Sequence, residues 1–495
     1  MLAYLLLSLN LLAVRQVPPG TRLHVRLTTA VGSYESKPGT PISAVLIAPV
    51  VVNGETLIAE GSNLTGKIRS VRRVGLGIVR ETATLELEFT EVTLPDGQSF
   101  PVSARLTQVD NSREHVARDG SIRGIRTTDS LSYRVSGYVR TALGWEVHAR
   151  LATWVIRTML VQVPEPEIYY PAGVELTLAL KSPVLSFPQS PSQQIARRLT
   201  DEERADLEHV TAPMPYRTIT RSQNRPSDLI NVMFIGSREQ IATAFLAAGW
   251  TEADARCLRS RITEIRAIAE RRGYLSASMS SLLVNDTEAD MSWQKGLNDM
   301  AKRHHIRVWR QDSTWEGQEV WIGAATRDID FAYLRPGQAV THRIEEDVDL
   351  ERDKIAHDLQ FTSCADVVDW WERPGVERFT RNGTGDPMNT DARMAVIRLN
   401  DCLAPRIAAP AVDAPSIRAH GSRMQRILRR QILSARSDLL RDNPYWRGYE
   451  GARWIVTAVH RHVHPASGAN GHSVELASAL QRSPLFSRDR IGWLW

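Results

Sequence analysis

The chain has 495 residues, of which 42% are hydrophobic and 24% charged, with a net charge of +5. Those values exclude a wholly disordered protein, and the length exceeds one ordinary core, so two or three domains are expected. Most of the positive charge is arginine spread along the chain, which argues against a nucleic-acid partner. Cys257, Cys364 and Cys402 show no CxxC spacing and are too few for a disulfide scaffold, which leaves room for one bridge and one free thiol.

Residues 1–16 hold the apolar run MLAYLLLSLNLLAV, which has the length of a signal peptide and is short for a membrane span. Export to the bacterial envelope is the expectation, with the chain either periplasmic or membrane-anchored. No basic residue precedes the run and no A-x-A site follows it, so a buried first strand is the competing reading.

From residue 17 to 185 the pattern is β. Stretches such as TRLHVRL, PISAVLI and TLELEF alternate apolar and polar residues between PPG, KPG, VNG and PDG turns, as antiparallel strands that bury one face do. A small barrel or sandwich is expected. PPGTRLHVRLTTAV at Pro18 is echoed by PAGVELTLALKSPV at Pro171, which suggests that the first and last strands face one core from neighbouring positions. Residues 141–163 carry helical spacing through Val155, Ile156, Met159, Leu160 and Val163 and read as a helical insertion. Taken together with PISAVLIAPVVVNGETLIAEGSNLTGKI and TLELEFTEVTLPDGQSFPVSARL, the segment resembles the β-barrel of TrbI-type conjugation and type IV secretion proteins. That resemblance implies a domain that holds other proteins.

Residues 186–227 read as a proline-punctuated linker with one short charged helix, TDEERADLEHV. An α/β domain then spans 228–403. Ile230 to Ile235 reads as a buried strand running into a helix capped by Ser237. In KRHHIRVW, His304 and His305 fall on opposite faces of a strand and cannot serve one site. In THRIEEDVDLERDKIAHDLQ a helix would place Val348, Arg352, Ile355 and Leu359 on one stripe. Arg352 on that apolar side needs a counter-ion, and Asp328 is the first candidate. Arg327, Asp328, His342 and Arg352 form the candidate catalytic cluster, with residue types that suit acid/base or metal-assisted hydrolysis. No HExxH, GxSxG, P-loop or dinucleotide fingerprint accompanies them.

DLINVMFIGSREQIATAFLAAGW, RHHIRVW, WIGAATRDIDF, THRIEEDVDLERD and RNGTGDPMNTDARMAVIRL, in that order, resemble the LssY C-terminal domain family over about residues 228–402. The resemblance implies a bacterial envelope setting, among membrane phosphatase-like segments or secretion genes, without an assigned reaction. Where the family shows a TDGR-like segment this chain has Thr390-Asp391-Ala392-Arg393, which puts a strained turn there in doubt.

Residues 404–495 read as a helical basic tail. SRMQRILRRQILSARSDLLRDN is amphipathic, with Met424, Leu428, Ile432, Ala435 and Leu439 on one side, expected to pack on the preceding domain or to meet an anionic membrane. His460, His462 and His464 alternate along TAVHRHVHPAS and form the candidate metal site, for which a divalent metal would be the cofactor. The fold class expected is therefore multidomain α+β. The leading function is a noncatalytic scaffold or binding module for envelope assembly or secretion, with other envelope proteins or the membrane surface as partners. The competing function is a hydrolase acting on a phosphorylated or lipid-linked envelope compound.

Overall fold

A computed structural model describes residues 15–76, 80–127, 164–186, 196–221, 223–333, 340–402 and 423–442, with a few single positions up to 456. The N-terminal run before residue 15, the expected helix at 141–163, part of the linker and the three alternating histidines His460, His462 and His464 lie outside the described residues. The chain divides into two compact units. One comprises residues 1–72, 84–124 and 167–418, and the other 73–83, 125–166 and 419–495.

In the first unit the β segment forms a nearly closed antiparallel sheet. Its main strands are β1 (Arg22–Leu27), β2 (Pro41–Leu46), β3 (Asn63–Arg72), β4 (Thr84–Thr93), β5 (Ala104–Val109) and β6 (Glu175–Leu180), in the order β5-β6-β1-β2-β3-β4. Alternate residues fill the interior, among them Leu23, Val25, Ile42, Ala44, Leu64, Ile68, Leu85, Phe89, Leu176 and Leu178. The echoed strands β1 and β6 are hydrogen-bonded neighbours with Val25 opposite Leu176, as their shared pattern predicts. Where β3 crosses β4, a Cβ at Gly66 would stand 2.0 Å from the Glu88 carbonyl oxygen, so only glycine fits that irregular register.

The α+β architecture continues with a mixed sheet. Its elements are α1 (Asp201–Thr211), β7 (Arg217–Thr220), β8 (Val232–Ile235), α2 (Arg238–Ala247), α3 (Leu258–Glu270), β9 (Met291–Gly296), β10 (Arg303–Trp315), β11 (Gln318–Tyr333), β12 (Val340–Ile344), α4 (Asp349–Phe361), β13 (Ala365–Glu372) and β14 (Arg393–Leu399). The sheet runs β9-β10-β11-β8-β14-β13 with β12 beside β11, and only β8 and β14 are parallel. β7 pairs with Pro226–Leu229 and with Leu282–Val284, so regular structure begins inside the stretch expected to be linker. Short strands rich in Arg and Thr give little apolar alternation, which is why that pairing escapes a pattern reading.

Ser237 caps α2 by accepting from Gln240 N at 3.2 Å, and Gln240 returns a bond to Ser237 N at 2.8 Å. This box satisfies the helix end with its own side chains. A disulfide joins Cys364, just before β13, to Cys402, just after β14, and leaves Cys257 free and exposed.

In the second unit, α5 (Arg423–Asp442) matches the expected span. Of the two expectations for its apolar side, packing on the preceding domain is not what the helix shows. Leu433, Arg436, Ser437 and Leu440 are buried, whereas Met424, Leu428 and Leu439 are 71%, 59% and 59% exposed. The helix packs on the narrower stripe, with Ser437 hydroxyl bonded to Thr127 at 2.7 Å, and turns the broader apolar side to solvent. Which face is covered depends on the neighbour that meets it, and periodicity does not report that.

Candidate functional site

Cross-strand register sets out the polar side chains of the mixed sheet. Lys295 on β9 lies opposite His304 on β10, which lies opposite Arg327 on β11. Side chains opposite one another share a face, so these three make a basic row. The row meets carboxylates from the β-barrel and from α4. Arg327 Nη2 donates to Asp110 Oδ1 at 2.6 Å, and His304 lies between two acids, with Nε2 2.6 Å from Asp110 and Nδ1 2.6 Å from Glu351. A carboxyl group stands at each ring nitrogen, an arrangement that suits the charged form of the ring. Burial opposes that charge, but Asp110 and Glu351 outweigh it and raise the His304 pKa. Burial likewise disfavours ionised Asp110, yet His304 and Arg327 hold it well below the ordinary carboxylate range.

Beside this clamp lies a second cluster, centred on Glu175 of β6 and Asp358 of α4. Glu175 accepts from Arg26 at 2.8 Å, Lys295 at 2.5 Å and Lys354 at 2.5 Å. Asp358 accepts from Trp250 Nε1 at 2.9 Å and Lys295 at 3.0 Å, with Arg26 at 3.4 Å. Arg26 and Glu175 are register partners on the outer barrel face, and α4 covers them, which is why alternation along β1 breaks at Arg26. Three cations therefore share two carboxylates in the interior. A cleft opens next to them, lined by Asp110, Gly173, Glu175, Gly249, Thr251 and Lys295 among others, and Arg327, Asp328, His342 and Arg352 do not line it.

The four residues singled out as one catalytic cluster occupy three places. Arg327 belongs to the clamp. Asp328, its neighbour in sequence, points to the other face of the sheet, where Arg303 Nε donates to Oδ2 at 2.9 Å and His305 Nε2 to Oδ1 at 3.0 Å. His342 on β12 stands 3.4 Å from Asp328 through Nδ1, with its side chain 23% exposed. Burial favours neutral His342, and its pKa is lowered. Despite burial, His305, His342 and Arg303 hold Asp328 far below its usual range. His304 and His305 serve opposite faces, as their adjacency requires.

Arg352 is 1% exposed and lies with Val348, Ile355 and Leu359 on the buried stripe of α4. Its counter-ion corrects the expectation: Asp391, not Asp328, takes both Nη1 at 2.6 Å and Nη2 at 3.2 Å, while Asp353 accepts from Nε at 2.8 Å and Asp349 from Nη1 at 3.1 Å. Burial would make Arg352 easier to deprotonate, but its bonds to Asp391 and Asp353 prevail and raise its pKa. Asp328 is occupied by Arg303 and His305 on the neighbouring strand β10, and the register that puts it there is a tertiary fact.

The turn after Thr390 closes this cluster. Asp391 N donates to Asp349 Oδ2 at 2.6 Å, Ala392 N to Thr390 Oγ1 at 3.1 Å and Arg393 N to Asp391 Oδ1 at 2.8 Å. Ala392 has φ +65°, so the left-handed turn is kept although the glycine is absent. A Cβ in that conformation is strained, and Ala392→Gly should therefore raise stability by about 1 kcal/mol in urea unfolding. Destabilisation by the glycine would show that the turn is not held in this form.

Residues 211–394 match the LssY C-terminus family. The mixed-sheet segment is thus similar to the LssY C-terminal domain family, as its motifs suggested, and the match starts earlier than the expected residue 228 and takes in β7. A search of curated proteins finds no match. Among solved structures, ComB10 of the Com type IV secretion system of Helicobacter pylori is similar over 36% of this chain and 93% of its own, with 11% identity and a TM-score of 0.20. So slight a likeness carries no weight for fold or function.

Sequence reading missed the residues by which the mixed-sheet domain grips the barrel: Asp110, Glu175 and Arg26 on one side, Lys295, Lys354 and Asp358 on the other. The echo does not point to them, since Glu175 matches Arg22 and Arg26 matches Ala179 in it; only the antiparallel register sets Arg26 against Glu175. Among the described residues, no group of three His, Cys, Asp or Glu is placed to hold a metal ion.

Proposed function

We propose that the chain is a noncatalytic scaffold or binding module of the bacterial envelope, exported as a periplasmic or membrane-anchored protein, with other envelope proteins or the membrane surface as partners. The observation that carries this reading is the separation of Arg327, Asp328 and Arg352 into three neutralised clusters. A reaction needs its groups to converge on one accessible point, and these groups turn toward different partners. The Cys364–Cys402 bridge supports export, because disulfides persist in oxidising compartments.

One arrangement favours the hydrolase reading. Partly exposed His342, kept neutral by burial and backed by Asp328, has the make-up of a general base, and a phosphorylated or lipid-linked envelope compound would be its substrate. The test is to incubate the purified chain with phosphomonoesters, phosphodiesters and lipid-linked phosphates, with and without divalent metal. The scaffold reading expects no turnover above buffer. Turnover that disappears in His342→Ala would overturn it.

A further inference from the structure

Helix α3 is built inside out. Its buried positions are small or polar, namely Ser260, Ala267 and Glu270. Cys257 N donates to Ser260 Oγ at 3.0 Å, and Glu264 turns back to accept from Ser278 N at 2.9 Å. The apolar side faces water instead: Leu258, Ile262 and Ile265 are 74%, 56% and 68% exposed. At about 100° per residue these three fall within about 60° of arc, with Arg261 on one edge and Arg259 on the other.

Arg256, Arg259 and Arg261 are exposed, and among the described residues they form no ion pair. Nearby carboxylates are engaged elsewhere, Glu270 by Arg266 at 2.6 Å and Arg272 at 2.7 Å, and Asp254 by the Tyr274 hydroxyl. The outward surface of α3 is therefore an aliphatic stripe between cations that have no counter-ion among the described residues. A helix that serves only its own fold would turn Leu258, Ile262 and Ile265 inward, since removing each from water is favourable. No helix among the described residues is long and apolar enough to cross a membrane. A helix lying in the interface has no such length requirement.

We propose that α3 docks on an anionic phospholipid surface, with Leu258, Ile262 and Ile265 in the acyl boundary and Arg256, Arg259 and Arg261 on lipid phosphates. Such a surface offers an apolar layer and anions on both sides of the stripe at once, which matches the arrangement on α3. The inference deepens the envelope reading and rests on it.

The free thiol provides the measurement. Cys257 caps α3 and is exposed, while the other two cysteines are bonded together. An environment-sensitive fluorophore on Cys257 of the full chain is titrated with phosphatidylcholine vesicles, with and without phosphatidylglycerol. The expected result is a blue shift with the anionic vesicles alone, weakened by salt. Affinity should fall at least about tenfold both in the triple variant Leu258→Ser, Ile262→Ser, Ile265→Ser and in the triple variant Arg256→Gln, Arg259→Gln, Arg261→Gln. All six side chains are exposed, and unchanged circular dichroism confirms that the variants fold.

No shift with anionic vesicles, or an equal shift in both variants, would overturn the proposal. A shift without vesicles that grows with protein concentration and is lost in the aliphatic variant would make this face a contact between copies; that also overturns the lipid reading and leaves the binding-module reading standing. Turnover that depends on His342 would do the reverse.

Discussion

Asp358→Ala should lower the free energy of unfolding by about 3–5 kcal/mol in urea at neutral pH, the cost of removing one partner from a buried ionic cluster. Asp358 is 2% exposed and Glu175 8%. Together they offset Arg26, Lys295 and Lys354, so loss of Asp358 leaves three cations on one carboxylate and takes the acceptor from Trp250 Nε1. Asp358→Asn keeps the shape and one acceptor and should cost less than alanine. Removal of the exposed Glu55, which pairs with Arg15 at the surface, should leave the unfolding midpoint unmoved. If Asp358→Ala behaves like Glu55→Ala, the barrel and the mixed-sheet domain are not joined through this cluster.

The same cluster sets an acid dependence. Burial works against ionised Glu175 and Asp358, but Lys295, Lys354 and Arg26 outweigh it and depress both pKa values in the folded protein. A carboxylate depressed on folding contributes stability that is complete above its unfolded pKa and disappears as pH falls through the folded one. Their ordinary values are 4.5 and 3.8, so stability should decline as pH drops below that range. Asp358→Ala should decline less steeply, because one fewer proton is taken up on unfolding, and the penalty of the substitution should shrink in acid. A penalty that stays constant with pH would point to lost packing and not to lost charge.

Breaking the Cys364–Cys402 bridge is the second large effect expected. Its closed loop spans a sequence separation of 38 residues. Loop-closure entropy for that length corresponds to about 4 kcal/mol. The bridge ties the ends of neighbouring strands β13 and β14, which hold Asp369 and Arg393 and carry the chain into the turn that supports Arg352. Paired Cys364→Ala and Cys402→Ala substitutions should lower the urea midpoint to that of the wild type in reductant, and reductant should then have no further effect. Alkylation of the denatured exported chain without reductant should label Cys257 alone; three labels would refute the bridge in the native protein.

Much of the fold was legible because the signals are local. Alternation in TRLHVRL, PISAVLI and TLELEF marked β1, β2 and β4; the repeated entry strand predicted that β1 and β6 are neighbours; Ser237 with Gln240 marked the start of α2. The stripe through Val348, Arg352, Ile355 and Leu359 was readable for the same reason, since side chains three and four apart share a helix face wherever the helix lies. The need of buried Arg352 for a carboxylate followed from ion solvation alone.

The identity of that carboxylate did not follow. Asp391 is 39 residues away on another element, and choosing it over Asp328 requires the register of β11 and the turn at Ala392. Arg26 and Asp358 are separated by 332 residues, and no periodicity links them. The outward faces of α3 and α5 were hidden in a different way: a hydrophobic stripe states that a face is apolar, while burial is decided by what packs against it. Sequence alone thus determined the elements, their amphipathic faces and the requirement for charge pairing, because these depend on backbone geometry and solvation within a few residues. Tertiary structure decided which charges meet, which helix faces stay in water and how the barrel is held to the mixed-sheet domain, because those depend on contacts between segments that only folding brings together.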